Sequence, residues 1–210
     1  MPENTPDLNA AYALETPDDS RRLYADWAQT YDQEFATDMQ YRMPQIVAMI
    51  YAENAVGSKP VLDVGAGTGL LAQAIPMRAS LQIDALDISP DMLQVAMDKG
   101  VYRNGIEADL TQILPIDDGV YGAVVSAVTF THGHVGPNAL DELLRIAKSG
   151  ALFVLGINAE HYVERGFEAK FAALEPQIAD FQLSLVNIYG VGADDAHKND
   201  LAQVALFSKR

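Results

Sequence analysis

Cysteine is absent from the 210 residues. Disulfides and thiolate metal ligands are therefore excluded, and a reducing, cytoplasmic home is expected. Positive charge is scarce: 14 Lys and Arg stand against 29 Asp and Glu, a net charge of −15. So acidic a chain repels phosphate backbones. Its basic residues are scattered, apart from Arg21-Arg22 and the final Lys209-Arg210, so no nucleic-acid partner is expected. Long apolar runs are also missing. Nothing approaches the roughly 18 residues a membrane span needs, and residues 1–18 carry no secretory signal, so no membrane association is expected. Internal repeats and low-complexity tracts are absent. A small-molecule substrate suits this composition better than a nucleic acid or a lipid surface does.

Apolar residues make up 49% of the chain, enough to fill the core of one sizeable domain. Residues 1–18 are rich in Pro, Asn, Asp and Glu and predict a flexible arm. Residues 19–57 predict a helical lid. Asp18, Asp19 and Ser20 offer caps, Leu23, Trp27 and Tyr31 share a helical face, and a second helix follows Pro44. Residues 58–210 then alternate strand and helix. Strands are predicted at 61–64, 81–87, 101–108, 121–129 and 151–155. A helix carrying Val163, Phe167, Phe171 and Leu174 on one face follows. Two last strands at 181–189 and 201–208, joined by a polar loop taken as solvated, predict an antiparallel hairpin. Strand–helix alternation means a mostly parallel α/β sheet covered on both faces.

The chain is organised around Val61-Leu62-Asp63-Val64-Gly65-Ala66-Gly67-Thr68-Gly69-Leu70-Leu71. It reads as a buried strand, a glycine turn and a helix start. Glycine is needed where φ turns positive or where a ligand must approach the backbone closely, and the helix N-terminus favours a polar or anionic ligand group. In a parallel sheet, ligands lie beyond the carboxyl ends of the strands. There the second strand ends in Asp87, placed to accept from both ribose hydroxyls. The third is followed by Asp109 and the fourth by Ser126-Ala127-Val128-Thr129-Phe130-Thr131-His132. The glycine spacing is not the G-x-G-x-x-G of a dinucleotide fold, because Leu70 stands where its third glycine would fall. No Gly-Lys-Ser/Thr and no nearby cation is present to hold phosphates. A nucleoside without a di- or triphosphate is the expected ligand.

These motifs resemble those of the class I S-adenosylmethionine-dependent methyltransferases. Residues 61–69 look like the first motif, Asp87-Ile88-Ser89-Pro90-Asp91-Met92-Leu93 like the second, and Ala108-Asp109-Leu110 like the segment with the adenine-contacting acid. Ile146-Ala147-Lys148-Ser149-Gly150 is similar to the family's Lys-Pro-Gly-Gly turn, with Ser149 in place of proline and Ala151 in place of the second glycine. Tyr24-x-x-Trp27-Ala28-x-x-Tyr31-Asp32 and Tyr41-Arg42-x-Pro44 resemble small-molecule members. The resemblance implies a Rossmann-like α/β fold with a seven-stranded, mostly parallel sheet, a C-terminal antiparallel hairpin and an N-terminal helical lid.

It also implies S-adenosylmethionine as cofactor. Gly65, Ala66, Gly67 and Gly69 would then hold its methionine part, and Asp63 would brace the turn and meet its amino group. Asp87 would take the ribose. Ile88 and Met92 would pack on the adenine, beside Asp109 and Leu110, with Ser126 near the methionine end. Tyr24, Trp27, Tyr31 and Arg42 would line the acceptor side, Arg42 pairing with a carboxylate of cofactor or substrate. His132 and His134 are the candidate general bases, since histidine titrates near neutrality. Gly133 between them makes no metal site, and none is assigned. Two other readings of the same motifs are a cofactor-binding protein without catalysis and a nicotinamide-dependent oxidoreductase, the latter disfavoured by the glycine spacing. A protein or RNA methyltransferase is disfavoured by the charge and by the lack of Asn/Asp-Pro-Pro-Tyr after the fourth strand.

Overall fold

The computed structural model describes residues 6–14, 16–76, 78–131 and 135–210. Seven strands form one sheet in the order β3-β2-β1-β4-β5-β7-β6. They are β1 (Val61–Val64), β2 (Ile83–Asp87), β3 (Asn104–Glu107), β4 (Tyr121–Phe130), β5 (Ala147–Asn158), β6 (Ile178–Asn187) and β7 (Leu201–Lys209). The first five run parallel, and β7 enters antiparallel between β5 and the edge strand β6. All seven expected strands are present, and the terminal hairpin forms as its pattern required. The strand order reverses between β1 and β4, so the chain opens a crevice where β1 ends.

Helices cover both faces. On one lie α1 (Leu8–Tyr12), α2 (Pro17–Trp27), a π-helical segment Tyr31–Thr37, α3 (Met43–Asn54), α4 (Leu70–Ala74) and α5 (Pro90–Asp98). On the other lie α6 (Ala139–Ile146), α7 (Ala159–Glu164) and α8 (Phe167–Leu174). Successive β1 side chains alternate between the two cores: Val61 joins the first, Leu62 and Val64 the second. β2 is buried along its whole length, so its apolar–polar alternation does not mark a wet face. Asp84 is tolerated there because it receives two bonds from Arg103 (2.9 and 2.6 Å) and one each from Asn104 (2.9 Å) and Tyr121 (2.9 Å). These donors outweigh the desolvation that would raise its pKa and hold it below the ordinary carboxylate value.

Three expectations are corrected. The flexible arm does not describe residues 6–14 and 16–18. Leu8 and Ala11 of α1 are buried in the core, Asp7 caps that helix by accepting from Ala10 N–H at 2.7 Å, and α2 already begins at Pro17. Its cap is Thr16, reciprocated by Asp19, a capping box that Asp18 and Ser20 do not share. The single helix through Val163 to Leu174 is two, broken at Gly166 (φ 76°), which leaves Val163 exposed. The 188–200 loop is not simply solvated. Ile188, Tyr189, Ala193 and His197 are buried, Asp200 accepts from the Tyr12 hydroxyl (3.0 Å), and Gly192 N–H donates to the Gln40 side chain (3.1 Å). The loop and the N-terminal helices thus brace each other.

Candidate active site

The glycine turn closes the crevice at the end of β1, and its three glycines answer three different demands. Gly65, Gly67 and Gly69 have φ of 64°, 53° and 90°, a region open to glycine and costly for other residues. A Cβ on Gly65 would lie 1.7 Å from Thr129 Oγ1, whose hydroxyl donates to the Val64 carbonyl at 2.9 Å. A Cβ on Gly69 would lie 2.9 Å from the Tyr102 ring. A Cβ on Gly67 would meet nothing within 4 Å, because it would project into the crevice. Gly67 is therefore the point of the turn where the backbone lies open to the crevice.

The acids stand around this turn. Asp87, buried at the tip of β2, accepts from Gly67 N–H (2.8 Å) through Oδ2 and from Ser89 N–H (2.9 Å) through Oδ1. It braces the turn and caps the approach to α5 while keeping lone pairs for a ligand. Burial raises its pKa against these backbone donors. Asp63 is 1% exposed; its Oδ2 accepts from the Tyr102 hydroxyl (2.6 Å), and its Oδ1 has no partner among the described residues. Burial, with a smaller contribution from the Asp87 charge, pushes Asp63 up to about 7. Asp109, half-buried, accepts from the Thr111 backbone (2.8 Å) and hydroxyl (2.7 Å) through Oδ1. Ile88, Met92, Ala108 and Leu110 supply the apolar wall between Asp87 and Asp109.

The raised Asp63 value has a sign that stability measurements can check. Between about pH 4 and 7 the folded protein keeps a proton on this group that the unfolded chain has released, so this contribution to stability falls as pH rises through that window. Thermal unfolding of Asp63→Asn should therefore gain on the wild type progressively from pH 4 to 7. A difference independent of pH would show that Asp63 is ionised in the free protein.

These groups line one cavity of about 1020 Å³, its mouth included, which continues to Pro17, Ser20, Tyr24, Tyr31, Tyr41 and Pro44. Tyr24 and Tyr31 thus reach the cavity. Trp27 does not: it is 3% exposed and packs on Tyr31 and Phe35 in the core. Arg42 is exposed outside the lining, its backbone N–H donating to Ile188 (2.9 Å), so it offers the cavity no charge. Ser126 is fully buried behind the wall, and Ala127, Val128 and Thr129 line the cavity instead. Ser126 pairs in regular register with Leu155, and strand alternation turns it to the face of Val124, in the second core; only beyond it does the β4–β5 register shift, which Gly156 permits, since a Cβ there would lie 1.7 Å from the Ala127 carbonyl. His132 and His134 lie outside the described residues. Asp32, quoted in the sequence motif without a role, ties the π-helical segment to the site. It accepts from the Thr68 hydroxyl (2.5 Å) within the glycine turn and pairs with Lys99 at the end of α5.

Among the described residues the cavity is lined by three carboxylates, Asp63, Asp87 and Asp109, and by no Lys, Arg or His. The methyltransferase-domain family profile matches residues 62–155, the stretch that builds this crevice. Human methyltransferase-like protein 27 is 34% identical over 161 residues, which cover 74% of this chain and 64% of that protein. Residues 62–155 form a methyltransferase domain, and the chain resembles the class I S-adenosylmethionine-dependent methyltransferases. A second relative within the family is the malonyl-[acyl-carrier protein] O-methyltransferase of Geobacter sulfurreducens, 31% identical over 141 residues, covering 65% of this chain and 52% of that enzyme. The chain thus spans between half and two thirds of the length of these two relatives.

Solved methyltransferases share the fold at low identity. One from Thermotoga maritima superposes with a TM-score of 0.60 at 15% identity, covering 90% of this chain and 99% of its own. The plantazolicin methyltransferase BpumL, solved with S-adenosylhomocysteine, gives 0.58 at 12% identity, covering 91% of each chain. The residues present fit the class I cofactor. Its ammonium and sulfonium charges suit a cavity that, among the described residues, is lined by carboxylates and no cation, the unpartnered Asp63 Oδ1 lacks a donor that the ammonium has, and the open side of Gly67 leaves room for close approach.

Proposed function

We propose that this chain transfers the methyl group of S-adenosylmethionine to a small-molecule acceptor that enters beneath the N-terminal helices, residues 19–57 acting as a lid on a core of residues 58–210. One observation carries the reading: the cavity that begins at Asp109 and Asp87 runs on past Gly67 to Tyr24, Tyr31 and Tyr41 without interruption. Cofactor and acceptor can therefore share one continuous space.

Asp87 would take the ribose hydroxyls, Asp109 the exocyclic amine of the adenine, and Ile88, Met92 and Leu110 its faces. Bound S-adenosylmethionine supplies an electrophilic methyl group for in-line displacement. The protein's task is then placement and exclusion of water rather than strong base chemistry. The tyrosine wall fits that task. Burial holds the Tyr24, Tyr31 and Tyr41 hydroxyls far above their ordinary pKa, so at neutral pH they are donors and not bases. His132 or His134 remains the proposed base for any acceptor that must lose a proton. The three carboxylates and the outward Arg42 favour a neutral or cationic acceptor over an anionic one.

Calorimetric titration with S-adenosylmethionine and with NAD tests the cofactor. Heat from the first and none from the second is expected, and the reverse would sink the reading. Turnover is then followed as S-adenosylhomocysteine release across neutral and cationic metabolites. Cofactor binding without release from any acceptor would favour a non-catalytic binding protein.

A further inference from the structure

A buried carboxylate that touches only one donor is an incomplete arrangement. Asp63 receives a single hydrogen bond, from Tyr102, and its other oxygen is buried and unpartnered among the described residues although the residue lines the cavity. Tyr102 itself does not line the cavity. It follows Gly100, the glycine just past α5, and its ring is wedged beneath Gly69, so closely that a Cβ there would reach 2.9 Å from its edge. The hydroxyl is thereby aimed at Asp63 from behind the glycine turn. An oxygen without a donor beside one that has a fixed donor marks a binding position for a strong hydrogen-bond donor, and a cation satisfies a buried carboxylate best.

We propose that Tyr102 is a positioning residue for the cofactor: by bonding Asp63 Oδ2 it fixes the carboxyl group with Oδ1 turned to the cofactor's ammonium group. The inference rests on the S-adenosylmethionine reading of this cavity and adds to it a residue that touches no ligand.

Among the described residues, three titratable groups face Asp63. They are Tyr102 from behind the turn, Asp87 at the tip of β2, and Tyr41 ahead of α3. Asp87 disfavours ionisation of Asp63 and Tyr102 favours it. Removing the Tyr102 hydroxyl therefore leaves a carboxyl group that is both free to rotate and harder to ionise. The ammonium of a ligand needs the ionised form, so affinity for a ligand carrying it should rise with pH through about 7.

The test compares two probes by calorimetry. S-adenosylhomocysteine carries the ammonium group; 5′-methylthioadenosine has the same nucleoside without it. In Tyr102→Phe, affinity for the first should fall about tenfold at pH 7, since a charge-assisted bond is lost from the carboxylate. Affinity for the second should be unchanged, which also certifies that the variant is folded. Equal losses for both probes would assign Tyr102 a purely structural role and overturn the inference, as would wild-type affinity for both. A measurement needing no variant stands beside it. The wild-type affinity for S-adenosylhomocysteine should climb to a plateau with a midpoint near 7, moved to higher pH in Tyr102→Phe, and a flat profile overturns the proposal. A wild type that binds neither probe would instead refute the cofactor reading itself.

Discussion

Gly67→Val is expected to abolish cofactor binding in a protein that still folds. Two effects combine. At φ 53° a residue with a Cβ is strained, by about 1–2 kcal/mol, and a β-branched one is a genuine outlier there. The larger effect is occupancy. No protein atom lies within 4 Å of the added Cβ, so valine costs the folded protein no packing clash and instead fills the space the ligand must enter. Gly57 supplies the control: its φ is 70° and its Cβ direction is also open, but it lies in the exposed loop after α3. Gly57→Val should lower the melting temperature without altering the dissociation constant. Titration of S-adenosylhomocysteine into both variants separates strain from obstruction. A folded Gly67→Val protein with wild-type affinity would show that the turn is no cradle.

Asp87→Ala should weaken cofactor binding by about 1–3 kcal/mol, the value of hydrogen bonds to a charged group, or roughly 5- to 150-fold in affinity. Part of that loss is indirect. Asp87 also accepts from Gly67 and Ser89 N–H groups, so its removal leaves two backbone donors unpaired and loosens the turn. A double-mutant cycle separates the shares. Binding of S-adenosylhomocysteine and of its 2′-deoxy analogue is measured in the wild type and in the variant. If Asp87 holds the ribose, the deoxy analogue is penalised in the wild type and not in the variant. Equal penalties would place the ribose elsewhere.

Much of this was legible in the sequence, because the features concerned are local. A glycine turn announces its backbone demands at three alternate positions, and an acid at a strand's end is placed by the strand. Asp63, Asp87 and Asp109 all reach the cavity for that reason. What stayed hidden depends on contacts between distant segments. Tyr102 looked like part of a third strand, since nothing local says that its hydroxyl reaches a residue 39 positions earlier. Ala127, Val128 and Thr129 reach the cavity where the β4–β5 register shifts beyond Ser126, a shift permitted by Gly156 in another strand. Arg42 turned outward because its backbone is drawn to Ile188. Proline-rich polar composition suggested a loose N-terminus, but buried Leu8 and Ala11, with the Tyr12 hydroxyl on Asp200, dock a short, well-capped helix.

The link from Asp32 to Thr68 and Lys99 carries a kinetic consequence. It joins the segment that carries Tyr31 at the cavity to Thr68 of the turn that lines it and to Lys99 at the end of α5. If a ligand lodges between them, its exchange is expected to follow the opening of this clasp. Residence time, rather than the speed of bond making, then becomes the quantity that the segment around Asp32 sets, and the cycle runs no faster than its product can leave.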